Sequence, residues 1–296
     1  MKPVSTTSWK PLSARNSRHR ALDVPARGYP LRIVESTRPT VQGGVIVMVH
    51  GMEEGWDVWE QVAPRLEARA RVIRLDLPWS GALGYDWTTE REAISGWLKR
   101  ALDAVPAPIV GLVAHSFGAM AALDYLDVYG LRDLRAVALV SPFHLFRDQE
   151  LDWPMIEHLS AHYRRFLGIA LAVRQRRERF DPELGAMMAE KVRDKIGPVG
   201  CIQFLSLLSR SKRIDLRGLG IPFLLLGGED DFYSLPAHCE RLASELPRGT
   251  ACILADCGHF AMIEQPDRVA DLLDGFFEKH ATGSIKMTRD TEEIRS

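Results

Sequence analysis

The sequence has little net charge, few cysteines and no long apolar run. Its 38 lysines and arginines nearly balance 39 aspartates and glutamates, which gives a formal net charge of -1 over 296 residues. Because this balance creates no long-range field to recruit a polyanion, we expect neither nucleic acid nor an anionic membrane as a partner. No segment approaches the roughly 18 consecutive apolar residues that span a bilayer. We therefore expect a soluble protein.

The four cysteines form no CxxC pair and show no metal-ligand spacing with histidine. They indicate reduced thiols, as in a cytosolic protein. The first 20 residues are basic and polar and lack the apolar core of a secretory signal. These observations predict a cytoplasmic protein.

Between its polar ends, the chain alternates apolar, β-branched runs with helical patterns. Residues 44–51 and 108–115 are continuous apolar runs, typical of strands buried on both faces of a parallel sheet. Eight such strand patterns alternate with crossover helices. The alternation predicts an α/β fold with a mostly parallel eight-stranded sheet covered by helices on both faces.

The alternation stops after the sixth strand, at 134–142, and the next segment is Arg-rich and helical in pattern. This break predicts a helical insertion. The predicted organisation is a disordered arm over 1–20, a core over 21–142, the insertion over 143–214, more core over 215–280 and a flexible tail over 281–296.

The segment VAHSFGAM, residues 113–120, places Ser116 where a strand pattern turns into a helix pattern. A strand–turn–helix that exposes a nucleophilic serine needs small side chains two positions to either side, here Ala114 and Gly118. The alternative is an N-cap serine, a common residue at the start of a helix. The octapeptide alone leaves both interpretations open.

A nucleophilic serine needs a histidine base that a carboxylate orients, and all three should meet at one edge of the sheet. The strand at 221–228 is followed by Glu229, Asp230 and Asp231, and the next strand is followed by a turn that ends in His259. With Asp231 as the acid, the order Ser116, Asp231, His259 is one of three known chain orders of such a triad. The downstream sequence therefore favours the nucleophile.

Four segments carry a resemblance to the α/β-hydrolase superfamily over about residues 20–280: VMVHGM, AHSFGA, GGEDDFYSLP and DCGHFAMIEQPDRV. The resemblance implies the α/β-hydrolase fold. It also implies that the insertion at 143–214 is a helical cap that covers Ser116 and forms much of the pocket for the acyl or leaving group. In DLPWSGALG, Trp79 replaces a glycine of the superfamily pattern, which suggests a reshaped pocket rim.

The resemblance also implies roles for individual residues. The acid is the third residue after Gly228, which is Asp231, with Asp230 and then Glu229 as alternatives. The backbone N–H groups of Met52 and Phe117 would form the oxyanion hole. Two neighbouring histidines of these motifs, His50 and His115, are expected to be structural.

The expected enzyme is a serine hydrolase that cleaves an ester or thioester through an acyl-enzyme, with no metal or organic cofactor. Members of the superfamily also use this triad to hydrolyse carbon–carbon bonds, so a diketone hydrolase is an alternative. A non-hydrolytic cyclase or lyase is another.

Two groups of side chains have open interpretations. The Arg-rich segments 164–166 and 174–180 form either a solvated helix face or an electropositive patch. Such a patch would attract an anionic group, for example the phosphopantetheine arm of a carrier protein. Four tryptophans near predicted loops would line an apolar pocket or pack in the core: Trp56, Trp59, Trp79 and Trp153.

Overall fold

A computed structural model describes residues 10–11, 19–24, 31–36, 44–80, 93–175 and 182–281. Within these residues, one sheet has the strand order β1-β2-β3-β5-β4-β6-β7-β8-β9. The strands are β1 Lys10–Pro11, β2 His19–Val24, β3 Leu31–Ser36, β4 Val45–Val49, β5 Arg71–Asp76, β6 Ile109–His115, β7 Ala136–Val140, β8 Phe223–Gly228 and β9 Gly249–Leu254.

The last six strands in this spatial order, β5-β4-β6-β7-β8-β9, pair in parallel. The pairs β1–β2, β2–β3 and β3–β5 are antiparallel. The α/β-hydrolase fold and all eight predicted strands are confirmed. The ninth strand, β1, lies within the arm predicted to be disordered over 1–20, and β2 also begins inside it, at His19. That prediction is wrong at these residues, because Lys10–Pro11 pairs with Arg20 and Ala21 and so satisfies part of the backbone edge of β2.

Within the described residues there are eight α-helices, of which the first six lie between strands and the last two follow β9. They are α1 Ala63–Leu66, α2 Ile94–Asp103, α3 Phe117–Tyr129, α4 Trp153–Gln175, α5 Pro182–Ser211, α6 Pro236–Glu245, α7 Ala261–Glu264 and α8 Pro266–His280. The two longest, α4 and α5, lie between β7 and β8, where the sequence predicts the insertion. Gly197 has a φ of 60° ahead of Pro198, and there α5 changes direction.

The core lies on both faces of the sheet. Along β4, Val45, Val47 and Val49 pack into one layer with side chains of α2, α3 and α6, and Ile46 and Met48 pack into the other with side chains of α1 and α8. This alternation follows from the period of two residues in a strand. It explains why β4 is apolar throughout.

Parts of three predicted segments lie outside the described residues. These parts are residues 1–9 and 12–18 of the predicted arm, residues 176–180 of the Arg-rich segment and residues 282–296 of the predicted tail. Within the described residues, no helix is both long enough and apolar enough to cross a membrane.

Candidate active site

Ser116 lies on a sharp turn between β6 and α3. Its φ of 51° and ψ of -117° are rare for a residue with a Cβ, and such strain recurs at functional sites. The backbone N–H of Ser116 donates to the carbonyl of Val140 at 2.9 Å, which fixes the turn to β7. Ser116 occupies the N-cap position of α3, but its hydroxyl makes no capping hydrogen bond. The hydroxyl is directed elsewhere.

Gly118 allows this turn to approach the loop after β4. A Cβ at position 118 would lie 2.4 Å from the carbonyl oxygen of His50 and 2.9 Å from Cγ1 of Val49. The requirement for a small residue here, predicted from the motif, therefore has a steric cause. The first turn of α3 and the loop that carries Met52 are in van der Waals contact.

His259 lies in the loop between β9 and α7 and is 4% exposed. Its Nε2 is 2.9 Å from Ser116 Oγ, and its Nδ1 is 2.7 Å from Asp231 Oδ2. An ionised carboxylate only accepts hydrogen bonds, so Nδ1 carries the proton and donates to Asp231. Nε2 is then an acceptor for the hydroxyl of Ser116.

Asp231 follows β8 and is the buried member of the three acids there, since Glu229 and Asp230 are exposed. Its second oxygen, Oδ1, accepts hydrogen bonds from the backbone N–H groups of Tyr233 and Ser234 at 3.0 and 2.9 Å. Burial opposes ionisation, but His259 and these two amides outweigh it and hold the pKa of the Asp231 carboxyl below its ordinary value. Of the three acids, Asp231 is the one that reaches His259.

Met52 and Phe117 line a cavity, and Ser116 is also part of its wall. Phe117 is the first residue of α3, so its backbone N–H belongs to the open end of that helix. Met52 follows Gly51, whose carbonyl oxygen accepts a hydrogen bond from Nδ1 of His50 at 2.7 Å. The structure thus brings the five predicted site residues to one edge of the sheet.

His50 orients the peptide group between Gly51 and Met52. Its Nε2 accepts a hydrogen bond from the backbone N–H of Leu77 at 3.0 Å, so the ring proton is on Nδ1 and is donated to Gly51. Burial lowers the pKa of His50 and so favours this neutral form. In a trans peptide the N–H points away from the C=O, so His50 sets the direction of the Met52 N–H.

The cavity at Ser116 has a volume of about 80 Å³. Most of its wall is apolar, and helices α4 and α5 supply a large part of it. Phe204 of α5 stacks against Phe117 with ring centroids 6.4 Å apart and meets Phe143 edge-on. The cavity wall from the two helices consists of Leu159, Ser160, Tyr163, Leu167, Cys201, Phe204 and Leu205.

The four tryptophans are not among the described residues of this wall. Trp59 and Trp79 are fully buried, and Trp153 is 74% exposed. Trp79 packs edge-on against Phe117, and its indole N–H donates to the carbonyl of His50 at 3.3 Å. It therefore supports the site from behind, and its predicted place at the pocket rim is wrong. Trp56 contacts the ring of His19 and the guanidinium of Arg74.

Sequence reasoning did not find several polar residues of this cavity, among them Glu53, Glu54 and Tyr163. Glu53 and Glu54 directly follow Met52, and two consecutive acids in a loop beside a buried strand were an available signal. Tyr163 has no comparable signal, because its helix α4 has no sharply divided apolar and polar faces. Burial and the neighbouring Glu53 raise the pKa of the Tyr163 hydroxyl, so this group stays protonated. Among the described residues, no group of three His, Cys, Asp or Glu side chains is arranged to hold a metal ion.

Two curated proteins are similar in sequence over most of their length, and both are named pimeloyl-[acyl-carrier protein] methyl ester esterase. The protein of Aromatoleum aromaticum is 26% identical over 248 residues, which cover 77% of this chain and 96% of that protein. The protein of Aeromonas hydrophila is 27% identical over 252 residues, which cover 79% and 96%.

Among solved structures, that of Cfl2 from Burkholderia cenocepacia matches with a TM-score of 0.62 and 24% identity, and covers 92% of this chain and all of that one. At this identity, the match concerns the fold alone. A family model described as "Alpha/beta hydrolase family" matches residues 46–272, which include all five predicted site residues. The chain belongs to the alpha/beta hydrolase family.

Proposed function

We propose that this hydrolase cleaves a carboxylic ester through an acyl-enzyme formed on Ser116. The observation that carries the proposal is the continuous hydrogen-bonded series from Ser116 Oγ through His259 to Asp231, with separations of 2.9 and 2.7 Å. A hydroxyl becomes a competent nucleophile only when a base removes its proton. His259 is the base in contact with this hydroxyl. Ser116 itself lies at the wall of a cavity large enough for part of a substrate.

In the first half of the reaction, Ser116 Oγ attacks the ester carbonyl carbon while His259 Nε2 takes the hydroxyl proton. Asp231 keeps the ring in the tautomer with the Nδ1 proton and stabilises the imidazolium that forms. His259 then gives the proton to the leaving alcohol, and the acyl group remains on Ser116. In the second half, His259 takes a proton from the water that attacks the acyl-enzyme, and returns it to Ser116 Oγ as the acid is released.

The backbone N–H groups of Met52 and Phe117 are the proposed oxyanion donors. Both residues border the cavity beside Ser116, and removal of one such donor costs about 2.7–4 kcal/mol of transition-state stabilisation. His50 and Gly118 support this role, because one fixes the peptide that carries the Met52 N–H and the other lets the two loops touch. The oxyanion hole therefore depends on backbone placement more than on the Met52 side chain.

The proposed substrate is a small acyl ester, with an acyl chain that a carrier protein presents. The names of the two curated relatives specify a methyl ester on a carrier-bound acyl group, and this is the support for the carrier. In this proposal α4 and α5 are the cap, and their side chains Leu167 and Phe204 shape the acyl site. The positions Arg176 and Arg177, where the sequence suggests an anion-attracting patch, lie outside the described residues.

The proposal is tested with a fluorophosphonate probe on wild type and on Ser116→Ala. Wild type should form one covalent adduct, on the peptide that contains Ser116, and the variant should form none. The rate of ester hydrolysis should fall on the order of 10⁶-fold in the variant, since loss of a triad nucleophile has effects of this size. A wild type that remains unlabelled would rule out an activated serine.

The bond that is cleaved is tested with an acyl carrier protein whose acyl chain ends in a methyl ester. This substrate contains a methyl ester at one end and a thioester at the other. Ester cleavage releases methanol and leaves the carrier thiol blocked, whereas thioester cleavage frees the thiol. We expect methanol alone. A vinylogous diketone, assayed in parallel, distinguishes a carbon–carbon bond hydrolase.

A further inference from the structure

Two buried side chains, Glu54 and His115, form a pair directly behind the candidate active site. Glu54 is 2% exposed and His115 is fully buried. Nδ1 of His115 lies 2.8 Å from Oε1 of Glu54, so the two side chains are in hydrogen-bond contact. Neither has a role in the acyl-enzyme mechanism above. A buried carboxylate and imidazole are costly to place in a core, so their position calls for an explanation.

Each member of the pair also holds one loop of the site. Oε2 of Glu54 accepts a hydrogen bond from the backbone N–H of Gly51 at 2.6 Å, one residue before the proposed oxyanion donor Met52. Nε2 of His115 is 3.0 Å from the backbone carbonyl oxygen of His259. The pair thus connects the loop after β4 with the loop after β9. Since His115 directly precedes Ser116, the connection passes beside the turn that carries the serine.

The protons of the pair can be assigned from its partners. A carbonyl oxygen only accepts hydrogen bonds, so Nε2 of His115 carries a proton and donates it to His259. A second proton lies between Nδ1 and the Glu54 carboxyl. The pair as a whole is therefore uncharged, which limits the cost of its burial. The hydrogen bonds at its two ends have a defined donor and acceptor: Gly51 N–H donates to Glu54, and His115 Nε2 donates to the carbonyl of His259.

Further hydrogen bonds hold the same two loops in place. Glu54 holds the N–H of Gly51 and His50 holds its C=O, so the peptide groups on either side of Gly51 are fixed. The carbonyl of His259 accepts a second hydrogen bond from Oγ of Ser141 at 3.0 Å. The backbones of the oxyanion loop and of the base are thus held together from behind.

We propose that Glu54 and His115 are positioning residues that hold the Met52 N–H and the His259 ring in register with Ser116 Oγ. The proposal rests on the function assigned to those three groups above. Alignment of this kind matters most in the transition state, because a misplacement of about 1 Å costs on the order of 10² in rate. Loss of the pair should therefore lower kcat and leave KM for a short ester nearly unchanged.

The proposed role depends on the hydrogen bonds of Glu54. The variant Glu54→Gln tests this, because it can keep these hydrogen bonds without an ionised carboxylate. A glutamine amide can place its oxygen at the Gly51 N–H and its NH₂ group at Nδ1 of a neutral His115. Both contacts then persist without an ionised group. Glu54→Ala removes both contacts. The conservative variant should therefore rescue what the alanine variant loses.

The experiment measures kcat, KM for a short chromogenic ester and the rate of fluorophosphonate labelling, all well below the unfolding temperature of each variant. We expect kcat and the labelling rate to fall on the order of 10²-fold in Glu54→Ala and about threefold or less in Glu54→Gln. KM should stay within about twofold of wild type in both. His115→Leu, which keeps apolar bulk but removes both ring nitrogens, should resemble Glu54→Ala and replaces it if that variant does not fold.

Glu35→Ala is the matched control, since Glu35 is an equally buried carboxylate that pairs with Arg20 and Arg71. These residues lie on β2, β3 and the start of β5, away from the site. The control should have a lower unfolding temperature and wild-type kcat. Labelling of Glu54→Ala or its His115→Leu substitute at the wild-type rate would overturn the proposal, and so would a Glu54→Gln variant as slow as Glu54→Ala. Wild type that does not label overturns the proposed function, and the role of the pair with it.

Discussion

The C-terminal edge of the sheet and the insertion formed by α4 and α5 enclose the same cavity, but their side chains are arranged differently. At the sheet edge, buried polar side chains contact one another: Ser116 with His259, His259 with Asp231, His115 with Glu54. In the insertion, Met187 and Ile202 are 58% and 62% exposed, and the Tyr163 hydroxyl has no hydrogen-bond partner among the described residues.

This difference indicates a division of roles. A fully paired polar network has one low-energy arrangement, which suits groups that must hold a reacting atom in place. A wall of apolar side chains with an unused hydroxyl accepts changes of shape more easily. The sheet edge should therefore determine whether the reaction occurs, and the insertion should determine which acyl chain enters. The predictions below test this division, from the largest expected effect to the smallest.

Asp231→Asn should lower kcat on the order of 10⁴-fold, because an asparagine NH₂ would donate to Nδ1 of His259 and impose the wrong tautomer. Asp230→Asn is the matched control, since Asp230 is exposed and adjacent in sequence. It should keep wild-type kcat. Steady-state ester hydrolysis measures both. A larger loss in the Asp230 variant would reassign the acid.

His144 lies in the loop after β7, where the sheet edge leads into the insertion. Burial, with Arg241 and His238 nearby, lowers the pKa of His144 to about 4. At a pH below the ordinary pKa of histidine, His144 takes up a proton in the unfolded chain but not in the folded chain. The contribution to stability is therefore complete above about pH 6.5 and declines as the pH falls toward 4, by up to about 3 kcal/mol.

His144→Leu should reduce this dependence, and urea unfolding at several pH values between 4 and 7 measures it. The buried His50, whose pKa is also lowered, remains in both proteins, so the difference between them isolates His144. Equal pH dependence of the free energy of unfolding in the two proteins would contradict the prediction.

Two glycines offer a direct contrast between the regions. Gly118→Ala should lower the free energy of unfolding by about 2 kcal/mol, because its Cβ would lie 2.4 Å from a backbone oxygen. Gly168→Ala, in α4 with no atom within 4 Å of the added Cβ, should raise it by up to about 1 kcal/mol. Urea denaturation measures both. If both substitutions changed the free energy of unfolding in the same direction, the two regions would be equally tightly packed.

Phe204→Ala should change specificity with little effect on the chemistry. Loss of this ring enlarges the cavity, so kcat/KM for a longer acyl ester should rise about tenfold relative to a short one. Ile202→Ala, on the exposed side of the same helix, should keep the wild-type ratio. A series of p-nitrophenyl esters of increasing chain length provides the measurement. An unchanged ratio in the Phe204 variant would place the acyl chain elsewhere.

The same division explains what could be predicted from the sequence. Ser116 directly follows β6, and Asp231 and His259 lie in the short loops that follow β8 and β9, so a local pattern reveals them. The choice among Glu229, Asp230 and Asp231 needed the resemblance, because burial of only the third arises from how the loop folds. The Glu54–His115 contact joins residues far apart in sequence, and no local pattern encodes it. In the insertion, α5 changes direction at Gly197, so a single helical periodicity does not identify the side chains that face the cavity.

The insertion also lengthens the interval between synthesis of the first and the last residues of the site. β7 and β8 are neighbours in the sheet, yet about 80 residues separate Val140 from Phe223. The ribosome therefore completes the strand before Ser116 and the two long helices well before it adds Asp231 and His259. Since domains fold as units during synthesis, a nascent chain that ends within α5 would hold an unpaired β7 edge and no base. Hydrolytic activity should thus arise only after His259, which follows β9, has left the exit tunnel.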